Sequence, residues 1–137
     1  MSEERVAQCI RRGAITCSEE TSLIFVSQIM VVNRIRYCVV TNKNHEVLGL
    51  ISADKMIDAF DKDFARRKAK DIVSADAIVT VTPSTPLREA VDLMAKKRVE
   101  HIIVVSDRPG SRAVIGIIAA HDIVGRMARR QEQEGRP

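Results

Sequence analysis

The sequence predicts an α/β (α+β) fold built from two tandem β-α-β-β-α repeats that occupy most of a 137-residue chain. Three observations predict it. The first is self-similarity: under a shift of 64 positions, Thr16 falls on Thr80, Thr21 on Thr85, Leu23 on Leu87, Met30 on Met94, Arg34 on Arg98 and Val40 on Val104. Beyond a longer second hairpin loop the shift becomes 67, which places Gly49 on Gly116 and Ile51 on Ile118. The second is alternation: short β-branched apolar runs bounded by polar turns are interleaved with stretches of helical spacing. The third is composition: 45% hydrophobic residues with only 3% aromatic support a core that is aliphatic. A pattern matched over two long spans marks a tandem repeat. One copy buries too little apolar surface to stand comfortably alone. Two copies, residues 1–68 and 69–137, are therefore expected to pack about a pseudo-twofold axis and share a core. The cleft between them, where strand ends and helix starts converge, is the expected ligand site.

The elements follow in order. Val6–Ile10 is an apolar lead-in and Ala14–Cys17 a short strand, β-branched at its centre. Ser18–Ser22 is a polar turn, with Thr21 as helix N-cap. Leu23–Val32 reads as a helix and Ile35–Thr41 as a strand. Asn42–Glu46 makes a hairpin loop and Val47–Ile51 the returning strand. Ser52 caps a second helix through Met56, Ile57, Phe60 and, at its far end, Phe64, an i, i+4, i+8 type of spacing. Arg66–Lys70 is a basic tail on that helix or the linker to the second copy. That copy culminates in Val99–Asp122, two apolar strands and a turn that set a carboxylate in the first turn of the last helix. The first helices of the copies differ. The second carries Arg88, Glu89 and Lys96 where the first carries Ile24, Phe25 and Val32. A helix apolar nearly all round needs cover on more than one side, so Leu23–Val32 is expected to form a homodimer interface.

Charge and cysteine usage exclude several classes. The net charge is +4, but the cations gather in Arg66, Arg67, Lys68 and Lys70, and in Arg126, Arg129 and Arg130, at helix ends where they suit the macrodipole. These read as solvated faces, and the scarcity of rings argues against base stacking, so a nucleic-acid partner is not expected. Cys9, Cys17 and Cys38 are odd in number and form no CxxC, which fits reduced thiols in a cytoplasmic protein. The acidic start Met1-Ser2-Glu3-Glu4 is unlike a signal peptide, and no apolar run reaches membrane-spanning length. There is no recognisable pairing of nucleophile and base, no metal-ligand spacing and no phosphate loop, so neither an enzyme, a metal site nor a required cofactor is expected. The charged, aliphatic composition, poor in Asn and Gln, fits an archaeal or thermophilic source.

Four stretches carry a family resemblance: Arg34–Val40 and Arg98–Val104, with Gly49–Lys55 and Gly116–Asp122. They resemble the strand motif and the Gly-apolar-apolar-Thr/Ser-x-x-Asp motif of the cystathionine-β-synthase (CBS) domain, and the tandem copies resemble a stand-alone Bateman module. There are departures. The usual strand proline is Val39 in one copy and Ile103 in the other. The first copy keeps the hydroxyl as Ser52 but has Lys55 where the Asp belongs; the second keeps Asp122 but has Ala119 at the hydroxyl position.

The resemblance implies binding of an adenosyl compound, namely AMP, ADP, ATP or S-adenosylmethionine, in sites shared between the copies, and signalling to an effector protein. Carried over by position, the main site comprises Ile117, Ala119, His121 and Asp122 with Ile15, Ile35, Arg36 and Tyr37. Asp122 would accept the ribose hydroxyls, Ile15 and Ile35 would sandwich the base, and Arg36 would offer a fork to phosphate. The second site comprises Leu50, Ser52, Asp54 and Lys55 with Val79, Val99, Glu100 and His101. There Glu100 and Asp54 stand where a phosphate would go, and Lys55 has no acceptor for ribose. That site is expected to stay empty or to take an uncharged or cationic ligand, an S-adenosyl sulfonium being one candidate. The competing expectation is an interaction or assembly module whose ligand sites have degenerated.

Overall fold

The computed structural model describes residues 4–10, 13–75 and 78–134. β1 (Thr16–Ser18), α1 (Leu23–Asn33), β2 (Tyr37–Thr41), β3 (Val47–Ser52) and α2 (Ala53–Asp58) form the first copy. After a short α3 (Ala69–Ile72) come β4 (Thr80–Val81), α4 (Leu87–Lys97), β5 (His101–Val105), β6 (Val114–Ala119) and α5 (Ala120–Glu134). Among the described residues the strands form two three-stranded sheets, ordered β1-β2-β3 and β4-β5-β6. β1 runs parallel to β2 with Cys17 opposite Val40, and β3 returns antiparallel with Leu50 opposite Val39. β4 likewise runs parallel to β5, with Thr80 opposite Ile103. The α/β class and the β-α-β-β-α repeat are as expected. β2 and β5 are buried at every residue but the first, as central strands covered on both faces should be.

Helix ends depart from expectation in instructive ways. The N-cap of α1 is Ser22, whose Oγ accepts from the Phe25 N–H at 3.1 Å. Thr21 is already used, because its hydroxyl accepts from the Ser18 N–H at 3.1 Å and closes the preceding turn. Thr85 makes the same turn with the Thr82 N–H at 3.1 Å. α1 and α4 both end in a left-handed arginine, Arg34 with φ 54° and Arg98 with φ 54°. The next residues close each end, Ile35 N–H donating to Met30 O at 3.0 Å and Val99 N–H to Met94 O at 3.2 Å, which is the long-range bond of a Schellman ending. Ile35 is thus consumed by the helix end, and β2 begins at Tyr37. The expected helix through Phe64 stops at Asp58. Asp61 Oδ1 accepts from the Asp63 N–H at 2.9 Å, and such a local side-chain bond competes with helix continuation. Met56 is buried, but Phe60 is 76% exposed and meets Phe64 edge-to-face, ring centroids 5.3 Å apart.

The chain resolves into two compact units. Among the described residues, the first-repeat unit comprises 14–75, 78 and 112–114, and the second-repeat unit 4–10, 13, 79–111 and 115–134. The lead-in of each repeat is thereby exchanged. In the second-repeat unit, Val6 N–H donates to Thr85 O at 2.8 Å and Leu87 N–H to Glu4 O at 2.8 Å. In the first-repeat unit, Ala69 N–H donates to Thr21 O at 2.7 Å and Leu23 N–H to Arg67 O at 3.0 Å. These are matched bonds at matched positions, so Glu4 corresponds to Arg67 and Val6 to Ala69.

Each unit has its own buried cluster. Leu23, Val26, Met30, Cys38, Val40 and Ile51 anchor one; Val6, Cys9, Met94, Ile102, Val104 and Ile118 anchor the other. Val39, Ile103 and Val105 are also buried, on the opposite faces of β2 and β5 by strand alternation. The glycines of β3 and β6 receive the exchanged lead-ins. A Cβ on Gly49 would lie 2.4 Å from Val73 Cγ2 and 2.6 Å from the Ser74 carbonyl oxygen; on Gly116 it would lie 2.9 Å from Ile10 Cγ2.

Candidate functional site

The two strand-to-helix junctions hold the motif residues. At β3–α2 the Ser52 hydroxyl accepts from the Lys55 N–H at 3.2 Å. At β6–α5 the Asp122 Oδ2 accepts from the Ala119 N–H at 2.9 Å. A complete capping box makes both bonds reciprocally. Here it is split: the first copy keeps the hydroxyl half and the second keeps the carboxylate half. The bond to Ala119 fixes the Asp122 carboxylate at the end of β6 and uses one of its oxygens. Each junction is tied to the entry of its own sheet's middle strand, Ala53 N–H donating to Arg36 O and Ala120 N–H to Glu100 O, both at 2.8 Å.

Within the first-repeat unit these bonds gather Arg36 and Tyr37 beside Ser52, Asp54 and Lys55, Tyr37 lying opposite Ser52 in the β2–β3 register. Arg36 and Asp54 are exposed, Tyr37 half-buried. Ile15 accepts from the Val39 N–H at 3.3 Å, and Leu50 exchanges backbone bonds with Ser74 at 3.1 and 3.4 Å. Ile35 packs against the first cluster. In the second-repeat unit, Glu100 and His101 enter β5 beside Ala119, His121 and Asp122. Val79 and Val99 pack against the second cluster, and Ile117 is half-buried while Glu100 and His121 are exposed. Of each predicted site, one group of residues falls in each unit.

Asp122 has neighbours that sequence reasoning missed. One turn on, Arg126 Nε donates to Glu4 Oε2 at 2.8 Å, and its Nη2 meets the same oxygen. That bond raises the Arg126 guanidinium above its ordinary value against the opposing cost of burial. The Cys9 thiol lies in the same field: burial pushes it up, Arg126 and Arg129 pull it down, and Glu4 and Asp122 add to the rise. The only sequence signal was the i, i+4 spacing of Asp122 and Arg126; nothing local ties either to Glu4. In the other unit, a hydrogen bond from Cys38 lowers the Cys17 thiol, while that bond and burial push Cys38 up.

The first-repeat unit contains an open cavity of about 400 Å³. Its charged lining is Lys55, Asp58, Arg67 and Asp71. Ala59, Ile72 and Val73 form its apolar wall. Arg67 Nη2 is paired with Asp61 Oδ2 at 2.9 Å, and Asp71 Oδ2 accepts from the Lys68 N–H at 2.8 Å. Among the described residues neither Lys55 nor Asp58 makes an ion pair. Among the described residues there is also no cluster of three or more His, Cys, Asp or Glu suited to a metal, and no helix long and apolar enough to cross a membrane.

Comparison with known proteins accords with this fold. The CBS domain family model matches twice, over residues 6–62 and 69–129. No curated protein matches at the level of sequence. AcuB of Vibrio cholerae, a protein named for acetoin utilization, superposes with a TM-score of 0.83 at 20% identity, covering 99% of this chain and 100% of that one. The CBS domain pair of protein MJ0100, solved in complex with 5′-methylthioadenosine and S-adenosyl-L-methionine, gives 0.81 at 18% identity, covering 94% and 99%. The CBS domain of a CBS domain-containing membrane protein from Sphaerobacter thermophilus gives 0.79 at 16% identity, covering 90% and 87%. At these identities the neighbours speak for the fold. The family match extends over both copies, and the chain belongs to the CBS domain family as a tandem pair.

Proposed function

We propose that this CBS pair is a non-catalytic regulatory module of the cytoplasm that senses an adenosyl compound (AMP, ADP, ATP or S-adenosylmethionine) between its two repeats and passes the bound state to an effector protein. The observation that carries the reading is the Asp122 carboxylate, pinned at the end of β6 by the Ala119 N–H at 2.9 Å. A carboxylate so oriented is a ready acceptor for a pair of ribose hydroxyls. His121, Ala119 and Ile117 accompany it, with Ile15, Ile35, Arg36 and Tyr37 supplied by the other unit; Arg36 would meet phosphate. The second site, with Leu50, Ser52, Asp54, Lys55, Val79, Val99, Glu100 and His101, offers no acid at the matched position and disfavours anions. The module requires no cofactor, and its partners are the ligand, the effector and a second copy of the chain joined through α1.

Titration calorimetry with AMP, ATP and S-adenosylmethionine tests the reading. Asp122→Asn keeps a side-chain oxygen for the Ala119 N–H and so spares the helix start, but loses the charge. Affinity should fall by ~1.5–3 kcal/mol, the worth of a hydrogen bond to a charged group. Unchanged affinity in that variant would remove Asp122 from the site. The second reading, an assembly module with lapsed ligand sites, is favoured by the split capping box; absence of heat with every ligand would select it.

A further inference from the structure

The residues lining the first-repeat cavity have matched positions in the second-repeat unit that carry different side chains. Matched through the repeat, Lys55 corresponds to Asp122, Asp58 to Gly125 and Ala59 to Arg126. Matched through the exchanged lead-ins, Arg67 corresponds to Glu4, Ile72 to Cys9 and Val73 to Ile10. Where the second-repeat unit sets the Arg126–Glu4 ion pair, the first-repeat unit has the small Ala59 and an Arg67 drawn away to Asp61. The fold therefore does not dictate the side chains at this place, and the first-repeat unit keeps about 400 Å³ beside its own set. That volume suits a small molecule.

We propose that this cavity binds an α-amino-carboxylate zwitterion: a free amino acid with an aliphatic or thioether side chain, or the aminoacyl end of an adenosyl sulfonium. The second source rests on the adenosyl reading above; the first does not. The charges decide the chemistry. Lys55 and Asp58 lie one turn apart on α2, the spacing of neighbours on one helix face, and each is without an ion pair among the described residues. Lys55 presents donors only and Asp58 acceptors only. A bare anion would meet Asp58 and Asp71 as well as Lys55, and a bare cation would meet Lys55 and Arg67. A ligand carrying both charges on one carbon satisfies both residues: its carboxylate accepts from Lys55 and its ammonium donates to Asp58. Ala59, Ile72 and Val73 then face the aliphatic part of the ligand.

The test is calorimetry on the full chain with three probes: L-methionine, S-adenosylmethionine, and 5′-methylthioadenosine, which lacks the amino-acid group. Lys55→Gln and Asp58→Asn alter half-buried and exposed side chains respectively, so folding should survive. Each should weaken L-methionine and S-adenosylmethionine at least tenfold, and Asp58→Asn, at a residue outside both predicted adenosyl sites, should leave 5′-methylthioadenosine unchanged. Ala59→Arg with Arg67→Glu, which copies the Arg126–Glu4 pair of the second-repeat unit, should abolish the same two signals. L-methionine binding that depends on both residues supports the proposal even where 5′-methylthioadenosine fails to bind, which would count against the adenosyl reading alone. Binding of both nucleosides with no response to any variant overturns the proposal and leaves the adenosyl reading standing. No heat from L-methionine or S-adenosylmethionine with the unmodified chain overturns it as well.

Discussion

Gly49 and Gly116 occupy the same place in the repeat but not under the same constraint. At Gly49 an added Cβ would strike the Ser74 backbone at 2.6 Å, whereas at Gly116 the nearest obstacle is the Ile10 side chain at 2.9 Å. Backbone cannot step aside as a flexible side chain can. Gly49→Ala should therefore cost ~2–3 kcal/mol, in the range of overpacked cores, and Gly116→Ala clearly less; urea-denaturation midpoints would show the difference, and equal losses would contradict it. The split capping box gives a prediction of opposite sign. Ala119→Ser supplies the missing hydroxyl beside an Asp122 already bonded to the Ala119 N–H. It should add ~1 kcal/mol of stability, and a midpoint that does not rise would mean the carboxylate alone saturates the helix start. Asp122 was legible because it stands in a repeated motif. Its ion-paired neighbour Arg126 was not, because the partner, Glu4, lies 122 positions away.

At the scale of elements, α1 and α4 match in length, start and left-handed ending but differ on their outer faces. Ile24, Phe25, Val31 and Val32 of α1 are 42, 54, 77 and 78% exposed. α4 carries Arg88, Glu89 and Lys96 opposite the first, second and last of these. One scaffold therefore supports both a solvated helix and an apolar one, so the fold itself does not demand the apolar face. This supports the proposed self-association through α1. Val32→Lys, which copies Lys96, should raise the dimer dissociation constant at least tenfold in sedimentation equilibrium while leaving the far-ultraviolet spectrum intact; an unchanged constant would exclude α1 from the contact. The helix expected to reach Phe64 shows the limit of periodicity. Met56, Phe60 and Phe64 have the right spacing, yet the Asp61 turn outcompetes the helix, and Phe60 is left exposed.

Across the whole molecule, the exchanged lead-ins decide which residues form which core. Val6 and Cys9, near the start of the chain, are 0% and 6% exposed within the second-repeat cluster. Ala69, from the linker, is 0% exposed within the first. Deleting residues 1–10 should therefore destabilise the second-repeat unit and spare the first. At ~1.5 kcal/mol for each of Val6, Cys9 and Ile10 the loss is ~4–5 kcal/mol. Hydrogen exchange reads this directly: amides of β5 and α4 should lose protection while those of β2 and α1 keep it. Uniform loss across both units would contradict the exchange.

By itself the sequence determined the duplication, the order of elements in each copy, the aliphatic core and the two strand-to-helix junctions with Ser52, Lys55, Ala119 and Asp122. These depend on local spacing, turn chemistry and residue type, which are written in short windows of the chain. Only the tertiary structure decided that each lead-in completes the other repeat, that Arg126 pairs with Glu4 where the first copy has Ala59 and Arg67, and that Arg34 and Arg98 end their helices left-handed. The first two outcomes turn on contacts between residues far apart in the chain, which have no local signature, and the third on a left-handed backbone that arginine rarely adopts.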